Sequence, residues 1–305
     1  MSSPLHRAGT VAIVGRPNVG KSTLLNAAVG QALAIVSAKP QTTRDRILGV
    51  VERDGAQIAL LDTPGLHKPS TRLGRTMNAT AREAARTADV IVFVTDVPAR
   101  DAVTLGVHPG DRTLLADIGA GTPTLLVINK VDRVKKKERL LPLLTELATL
   151  RDFAGVVPIS ARRTEGVERV LAEVARLLPE GPPMFEPDAL TDRPIRFFAS
   201  EYVREQILKT THEEVPHAVA VQVETYDDTG AVVRIEATIH VERDGQKGIL
   251  VGAGGSMLKA IGTAARERIE ALVGRKVHLA LWVRVTPGWT ESPAALAELG
   301  YGGTT

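Results

Sequence analysis

The sequence predicts an α/β protein with an open, mostly parallel, doubly wound sheet, followed by a smaller domain of α+β type. Three observations support this prediction. Apolar segments alternate with segments of helical periodicity through the first 180 residues, as in sheets covered by helices on both faces. Prolines and glycines cluster at residues 179–187, where they would stop a helix and stiffen a linker. The elements predicted beyond that cluster follow a different order.

The strands of the first half are near-continuous apolar runs, which is typical of strands buried on both faces of a parallel sheet. The predicted strands are Thr10–Val14, Ile47–Val51, Gln57–Leu61, Asp89–Thr95, Thr124–Ile128 and Val156–Ile159, and the clearest helices are Met77–Thr87, Lys135–Leu150 and Val167–Leu178. Ligands of such sheets bind beyond the carboxyl ends of the strands. We therefore expect the polar residues that follow these strands to meet at one edge.

The second half shows weaker patterns, but its elements can still be placed. The predictions are a helix at Ile195–Lys209, strands at His217–Thr225 and Ala231–Arg243, a helix from Ser256 to Val273 and a strand at Val277–Val285. Trp282 lies inside the last apolar strand. We therefore expect it to belong to the core, although stacking on nucleic-acid bases stays open for Trp282 and for Trp289.

Composition excludes several classes of protein. The 305 residues include no cysteine, which excludes disulfides, thiolate metal sites and cysteine nucleophiles. No apolar run approaches the ~20 residues of a membrane-spanning helix, and the N-terminus lacks the apolar segment of a secretory signal. We expect a cytoplasmic protein. The net charge of +3 is uneven, because residues 1–180 carry 25 Lys and Arg against 18 Asp and Glu, whereas residues 181–305 carry 13 against 17.

A phosphate-binding loop follows the first predicted strand and precedes a helical segment. Its pattern is G-x-x-x-x-G-K-[ST], in which backbone N–H groups surround phosphate oxygens. The lysine is expected to reach the β- and γ-phosphates and the serine hydroxyl to bind Mg²⁺. The residues are Gly15, Arg16, Pro17, Asn18, Val19, Gly20, Lys21 and Ser22, with Thr23 next in the helix.

Three further motifs, in order, predict a guanine nucleotide. Asp62-Thr63-Pro64-Gly65 follows the third strand, so Asp62 can hold Mg²⁺ and the Gly65 amide can meet the γ-phosphate. Asn129-Lys130-Val131-Asp132 follows the fifth strand. The Asp132 carboxylate can accept two hydrogen bonds from guanine, and adenine offers neither donor, so the site discriminates strongly. Asn129 and Lys130 are expected to brace this loop, and Ser160-Ala161 supplies an amide for guanine O6.

Two loops are candidate switches. In Gln41-Thr42-Thr43-Arg44, either threonine could bind Mg²⁺ in the triphosphate state, and Thr43 is favoured because it directly precedes Arg44. The second loop begins at Leu66, where related GTPases carry a glutamine that orients the attacking water. Leucine has no polar atom, so we expect slow intrinsic hydrolysis. Asn18 either helps to bind K⁺ beside the phosphates or only tightens the loop, and both interpretations stay open.

These motifs together resemble the Era family, bacterial GTPases of small ribosomal subunit maturation. The resemblance covers nearly the whole chain and includes the segments that begin at Gly15, Gln41, Asp62, Asn129, Ser160, His212, Val277 and Gly288. It implies a P-loop GTPase domain at residues 1–180, a linker at 181–191 and a type II KH domain at 192–305. The implied ligands are GTP or GDP, Mg²⁺ and small-subunit ribosomal RNA on the small ribosomal subunit. We expect a monomer, and peripheral association with the inner membrane stays open.

Residues of the second half also favour RNA. Gly252, Ala253, Gly254 and Gly255 fit the GXXG loop of KH domains, which clamps about four nucleotides. From residue 245 to 285, seven basic residues face two acidic ones, so positive charge is concentrated around the loop. The candidate RNA-binding cations are Lys247, Lys259 and Arg266. Era-like loops usually carry a lysine where this chain has Ala253, so one phosphate contact is either absent or supplied by a neighbour such as Lys247.

Two alternatives to a GTP-hydrolysing assembly switch stay open. The chain could be chiefly an RNA-binding assembly factor in which nucleotide sets occupancy and hydrolysis is minor. It could also be another translation-associated GTPase of the same superfamily with a different RNA target. The single GTPase domain and the C-terminal GXXG loop argue against relatives with tandem GTPase domains.

Overall fold

The computed structural model describes residues 6–37, 39, 42–66, 69–97, 106–119, 121–211, 215 and 218–301. Contacts divide the chain into two compact units. The first comprises Met1–Val36, Thr43–Lys68 and Met77–Asp192, and the second comprises Ser37–Thr42, Pro69–Thr76 and Arg193–Thr305. This division differs from the contiguous domains expected from the sequence, because two short segments of the first half cluster with the second unit.

The first unit contains a six-stranded sheet of order β2-β3-β1-β4-β5-β6, in which only the β2–β3 pairing is antiparallel. This is the expected mostly parallel, doubly wound sheet. Its strands are β1 (Arg7–Val14), β2 (Ile47–Arg53), β3 (Ala56–Asp62), β4 (Val90–Asp96), β5 (Thr124–Asn129) and β6 (Gly155–Pro158). The helices are α1 (Lys21–Val29), α2 (Arg72–Thr87, whose first residues cluster with the second unit), α3 (Pro109–Asp117), α4 (Leu141–Leu150) and α5 (Val167–Leu177).

Three helices of this unit differ from the sequence prediction. Helix α2 begins at Arg72, before the predicted Met77. The helix expected from Lys135 begins instead at Leu141, after a 3₁₀ turn at Lys137–Leu140. Pro142 explains the start, because a residue without an N–H fits only the first turn of a helix. Helix α3 was not predicted, because Pro109-Gly110 resembles a turn. Here Pro109 is the first helical residue, and the His108 side chain accepts a hydrogen bond from Gly110 N.

The predicted linker is bound to the first unit along much of its length. Gln57 Oε1 accepts hydrogen bonds from the amides of Met184 and Phe185. The Val50 amide, on edge strand β2, donates to Leu190 O at 2.9 Å. The last of these bonds covers part of the free edge of β2, and all three tie the segment to the unit.

The second unit contains a three-stranded sheet of order β7-β8-β9, with β8 antiparallel to β7 and parallel to β9. Its elements are α6 (Ile195–Thr210), β7 (Ala220–Asp227), β8 (Val232–Val241), α7 (Asp244–Val251), α8 (Ser256–Val273), β9 (Lys276–Val285) and α9 (Pro293–Glu298). Side chains of α6, α7 and α8 pack on one face of the sheet. Helix α7 was missed because Gly245 and Gly248 weaken its helical pattern.

The two tryptophans have different environments. Trp289 is fully buried, stacks on Tyr301 and donates from Nε1 to Ala218 O at 3.2 Å. Trp282 is 50% exposed, so its placement in the core was wrong. In the run Val277–Val285, the odd-numbered residues face the core. The apolar even-numbered residues, Ala280 and Trp282, hid this alternation.

Among the described residues, no single helix has both the length and the apolar character needed to cross a membrane. The bent pair Asp244–Val251 and Ala253–Val273 meets that test jointly, by length and composition only.

Candidate functional site: a nucleotide pocket and a glycine-lined groove

The phosphate-binding loop joins β1 to α1 and packs tightly against its neighbours. Gly20 has φ 103°, and a Cβ there would lie 2.2 Å from Asn129 Nδ2. A Cβ on Gly15 would lie 2.2 Å from Val94 O. Because glycine alone fits both places, the loop can approach β4 and the end of β5. Asn18 has φ 64°, a left-handed conformation that asparagine tolerates better than most residues.

Lys21 is 6% exposed, and its ammonium donates to Gly15 O at 3.1 Å and to Arg16 O at 3.0 Å. The bonds hold the ammonium against the loop that the phosphates are expected to enter. Burial lowers the pKa of Lys21 to about 8, although the Asp62 carboxylate opposes that shift. An anion bound here would favour the charged form.

Three oxygen-bearing side chains converge where Mg²⁺ is expected. Asp62 Oδ2 accepts hydrogen bonds from Ser22 Oγ at 2.6 Å and from Thr43 Oγ1 at 3.2 Å, and the two hydroxyl oxygens are 2.9 Å apart. Asp62 is fully buried, and its Oδ1 has no hydrogen-bond partner among the described residues. Burial raises the pKa of Asp62. A buried oxygen without a donor, next to two hydroxyls, fits a hard cation that prefers oxygen ligands.

The two switch threonines have different surroundings. Thr43 lies in the oxygen cluster, whereas Thr42 Oγ1 donates to Lys39 O at 2.7 Å. Within the second unit, Thr42 O accepts a bond from Arg204 Nη2 at 2.5 Å. Leu66 is 7% exposed and belongs to the apolar core of the first unit, so its side chain cannot orient water. Gln41, His67 and Lys68 lie outside the described residues.

Gly65 packs directly against the phosphate-binding loop. A Cβ on Gly65 would lie 2.7 Å from Pro17 Cα. This contact places the Gly65 backbone beside the loop, as the predicted γ-phosphate contact requires. The contact itself remains a prediction.

The segments predicted to bind guanine form one hydrogen-bonded group. Asn129 Nδ2 donates to Val19 O at 2.8 Å, and Asn129 Oδ1 accepts from the amides of Lys130 at 2.7 Å and Ala161 at 3.0 Å. Asn129 therefore joins three loops, which is the bracing expected of it. The Ala161 amide already has this acceptor, so its donation to guanine O6 stays a prediction that would need a shared hydrogen.

Asp132 is oriented for base recognition by a neighbour. Its Oδ1 accepts a hydrogen bond from Ser160 Oγ at 2.8 Å. Partial burial tends to raise the pKa of Asp132, but the bond from Ser160, a backbone hydrogen bond and the nearby charges of Arg163 and Arg133 together outweigh burial, so the pKa is lowered. The carboxylate is therefore ionised near neutral pH and can accept hydrogen bonds from a base.

Sequence reasoning missed a charged network that joins the phosphate-binding loop to the base-binding loop. Asp96 Oδ1 accepts from Arg16 Nη2 at 2.8 Å, and Asp96 Oδ2 accepts from Lys130 Nζ at 2.7 Å. Lys130 Nζ also donates to Asn18 O at 2.6 Å, and Arg16 Nε donates to buried Asp111 at 2.8 Å. The Arg16 guanidinium is thus bound by carboxylates. Asp96 ends a parallel strand, and that position was the available signal.

The second unit contains a groove beside its glycine loop. Gly252, Gly254 and Gly255 have φ of 70°, 57° and 81°, all in the region that favours glycine. A Cβ on Gly254 or Gly255 would meet no atom within 4 Å among the described residues, so the loop faces open space. Exposed Ala253 completes it. A cavity of about 360 Å³ lies between α8 and β9, lined by Gly255, Leu258, Lys259, Gly262, Thr263, Arg266, Leu279 and Leu281.

The three candidate RNA-binding cations are exposed but not equally placed. Lys259 and Arg266 line the groove, whereas Lys247 lies on α7 outside its lining. Among the described residues, neither Lys247 nor Lys259 forms an ion pair. The groove therefore offers uncompensated positive charge beside an open glycine backbone.

Known families match both units. Residues 10–130 match the family described as a 50S ribosome-binding GTPase, and residues 214–290 match the KH domain. GTPase Era of Stenotrophomonas maltophilia is 47% identical over 97% of this chain and 98% of its own length. GTPase Era of Syntrophus aciditrophicus is 45% identical over 98% and 96%.

The chain belongs to the Era family of GTPases. Two solved Era structures are similar to it, each with a TM-score of 0.91 at 38% identity, over 97% of this chain and 99% of the other. One is a variant of Aquifex aeolicus Era bound to GDP and AlF₄⁻. The other is Era in complex with MgGDPNP and nucleotides 1506–1542 of 16S ribosomal RNA. The fold class and the family expected from the sequence are confirmed, and the enzyme is a GTPase.

Proposed function

We propose that this GTPase is a nucleotide-controlled protein that binds small-subunit ribosomal RNA and assists assembly of the small ribosomal subunit. One observation carries the proposal: a pocket suited to a guanine nucleotide and an open glycine groove lined by the cations Lys259 and Arg266 occur in the same chain. The Era relative in complex with MgGDPNP and a 16S ribosomal RNA fragment supports both ligands. We also propose a GTPase domain at 1–180, a connecting segment at 181–191 and a KH domain at 192–305.

The roles of the nucleotide-site residues follow from their chemistry. Backbone amides from Gly15 to Thr23 and the Lys21 ammonium bind the phosphates, because a helix N-terminus and a cation both favour negative charge. Ser22, Thr43 and Asp62 hold Mg²⁺, which neutralises charge on the phosphates. Asp132 selects guanine, and Asn129, Lys130, Ser160 and Ala161 hold its loop in place.

Water positioning is the weak step of this site. Leu66 contributes no polar atom, so the enzyme is expected to turn over slowly on its own. Its slow chemistry also favours the second candidate, an RNA-binding assembly factor in which nucleotide sets occupancy and hydrolysis is minor. GTP turnover measured with and without the 16S fragment separates the two. Strong stimulation that the double variant Lys259→Ala, Arg266→Ala abolishes supports the switch, whereas equal rates favour the second candidate.

The two interpretations of Asn18 predict different salt dependence. The left-handed φ of Asn18 is enough to explain why asparagine occurs at this position, even when no cation binds there. If Asn18 also helps to bind K⁺, turnover is faster in KCl than in NaCl at the same ionic strength, and Asn18→Gly removes that difference. Equal rates in the two salts would leave the loop conformation as its only role.

We also propose that the protein acts as a cytoplasmic monomer, with peripheral membrane association as a separate property. Analytical ultracentrifugation of the full chain tests the oligomeric state. Co-sedimentation with vesicles of anionic phospholipid tests the membrane property, and vesicles of neutral phospholipid are the control.

A further inference from the structure

The sheet of the second unit has one face that its helices do not cover. The strand register pairs Arg234 with His278, Glu236 with Ala280, Thr238 with Trp282 and His240 with Arg284. The alternate residues, such as Ile235 and Leu279, belong to or pack against the core with the helices. Because successive side chains of a strand point to opposite faces, these four pairs of residues lie on the face away from the helices.

On this face His240 and Thr238 of β8 are buried, whereas Trp282 of β9, the strand partner of Thr238, is exposed. His240 is 4% exposed, and its Nδ1 is 2.9 Å from Thr286 Oγ1. Trp282, one residue pair further along, is 50% exposed. Half of the indole surface is therefore accessible to a ligand.

The residues around Trp282 favour an anionic partner. Arg284 and His278 lie on the same side of β9 as Trp282, and both are exposed. Within the described part of the chain, Arg284 forms no ion pair. Glu236 on the neighbouring strand is bonded to Thr225 Oγ1. An exposed aromatic ring beside an exposed arginine is a combination that binds single-stranded nucleic acid.

Strand β9 also connects this face to the glycine-lined groove. It is an edge strand of the sheet, and its Leu279 and Leu281 line the groove beside α8. The even-numbered residues of the same strand lie on the open face. A chain of nucleotides leaving the groove therefore needs to cross only this one strand to reach Trp282.

We infer that the RNA-binding surface extends from the groove around β9 onto the open face, where an unpaired base stacks on Trp282 and Arg284 contacts phosphate. This inference rests on the proposed RNA-binding function. It names the ligand as a single-stranded segment continuous with the nucleotides held at the glycine loop. Stacking is tolerant of sequence because every base has a π-face.

The test uses the full chain and RNA of nucleotides 1506–1542 of 16S ribosomal RNA as the probe. Trp282→Ala is expected to weaken binding about tenfold, and Trp282→Phe, which keeps an aromatic ring, less than threefold. RNA is expected to quench tryptophan fluorescence of the wild type, because exposed Trp282 is the accessible indole and Trp289 is buried. The matched control is Leu141→Ala, which truncates an exposed apolar residue of the first unit and is expected to bind as the wild type does.

The possible outcomes distinguish failure of the Trp282 extension from failure of the proposed RNA-binding function. If Trp282→Ala binds normally and fluorescence does not change, the extension is wrong, while loss of binding in Lys259→Ala, Arg266→Ala would keep the groove. If the wild type does not bind the probe at all, the proposed function fails with it. If instead Trp282→Ala abolishes self-association seen by ultracentrifugation and leaves RNA affinity intact, the face belongs to a protein interface and the inference is overturned. Circular dichroism establishes that the variants are folded.

Discussion

The nucleotide pocket and the glycine-lined groove are both proposed to bind phosphate. They differ in how far their polar and charged groups are already paired. In the pocket, the side chains of Asn129, Asp96 and Ser160 already form hydrogen bonds of 2.7 to 3.0 Å with other residues of the site. Beside the groove, Lys247 and Lys259 have no ion-pair partner among the described residues. A pocket formed before its ligand arrives gives selectivity. A surface of free cations gives affinity that depends on salt.

The largest expected effect comes from removing the Asp132 carboxylate, which is proposed to recognise guanine. Asp132→Asn replaces a carboxylate, which only accepts hydrogen bonds, with an amide. The NH₂ group of the amide would face an N–H donor of guanine and could not accept its hydrogen bond. We expect GTP affinity to fall about 100-fold or more, because two charge-assisted hydrogen bonds are lost. Titration with a fluorescent GTP analogue, alongside ATP, measures the change. Unchanged GTP affinity would show that Asp132 does not recognise guanine.

A smaller effect is expected from the network that joins the two loops. Asp96→Asn leaves the Arg16 and Lys130 cations without the carboxylate they share, so the base-binding loop loses support. We expect GDP to dissociate about tenfold faster, as measured by release of a fluorescent GDP analogue. Asp117→Asn is the control, because Asp117 pairs with Arg82 at the exposed surface, where ion pairs contribute little. Equal release from both variants would mean that Asp96 has no role in holding nucleotide.

The sequence could predict that the pocket motifs lie close together, because each of them ends a buried parallel strand. Strand ends meet at one edge, so the order of motifs along the chain predicts a cluster in space. Asp96 and Asp111 were missed since no short motif contains them. Their partner Arg16 lies 80 and 95 residues away, and pairing over such distances depends on how β4 and α3 are placed.

The second unit was harder to predict for a related reason. The apolar run that contains Trp282 does not show by composition which of its faces is covered, and burial is decided by α6, α7 and α8 packing on one side. Likewise, Ser37–Thr42 and Pro69–Thr76 cluster with the second unit, although they lie among motifs of the first. Contacts made by irregular segments leave no periodic signal in a sequence.

The pH dependence of GTP affinity tests whether the Lys21 ammonium contributes to phosphate binding. Burial lowers the pKa of Lys21 to about 8 in the nucleotide-free protein, and bound phosphates would raise it, so binding takes up a proton above that pH. GTP affinity should therefore fall as the pH rises, by about fourfold between pH 7 and 8.5. Isothermal titration at several pH values measures it. Guanosine monophosphate shares the base but lacks the β- and γ-phosphates, so an equal fall for both would assign the effect elsewhere.

The smallest expected effect is a gain in the groove. Ala253 is exposed in the glycine loop, at the position where the family resemblance implies a lysine. Ala253→Lys adds one cation to a surface that binds through free charge, so RNA affinity should rise about threefold and the salt dependence should steepen by about one phosphate contact. Binding of the 16S fragment at several KCl concentrations measures both, and Ala253→Gln, of similar size but neutral, is the control. If the lysine and glutamine variants bind alike at every salt concentration, Ala253 does not face phosphate. The affinity of Ala253→Lys for GTP should not change, because the nucleotide pocket contains its own charges.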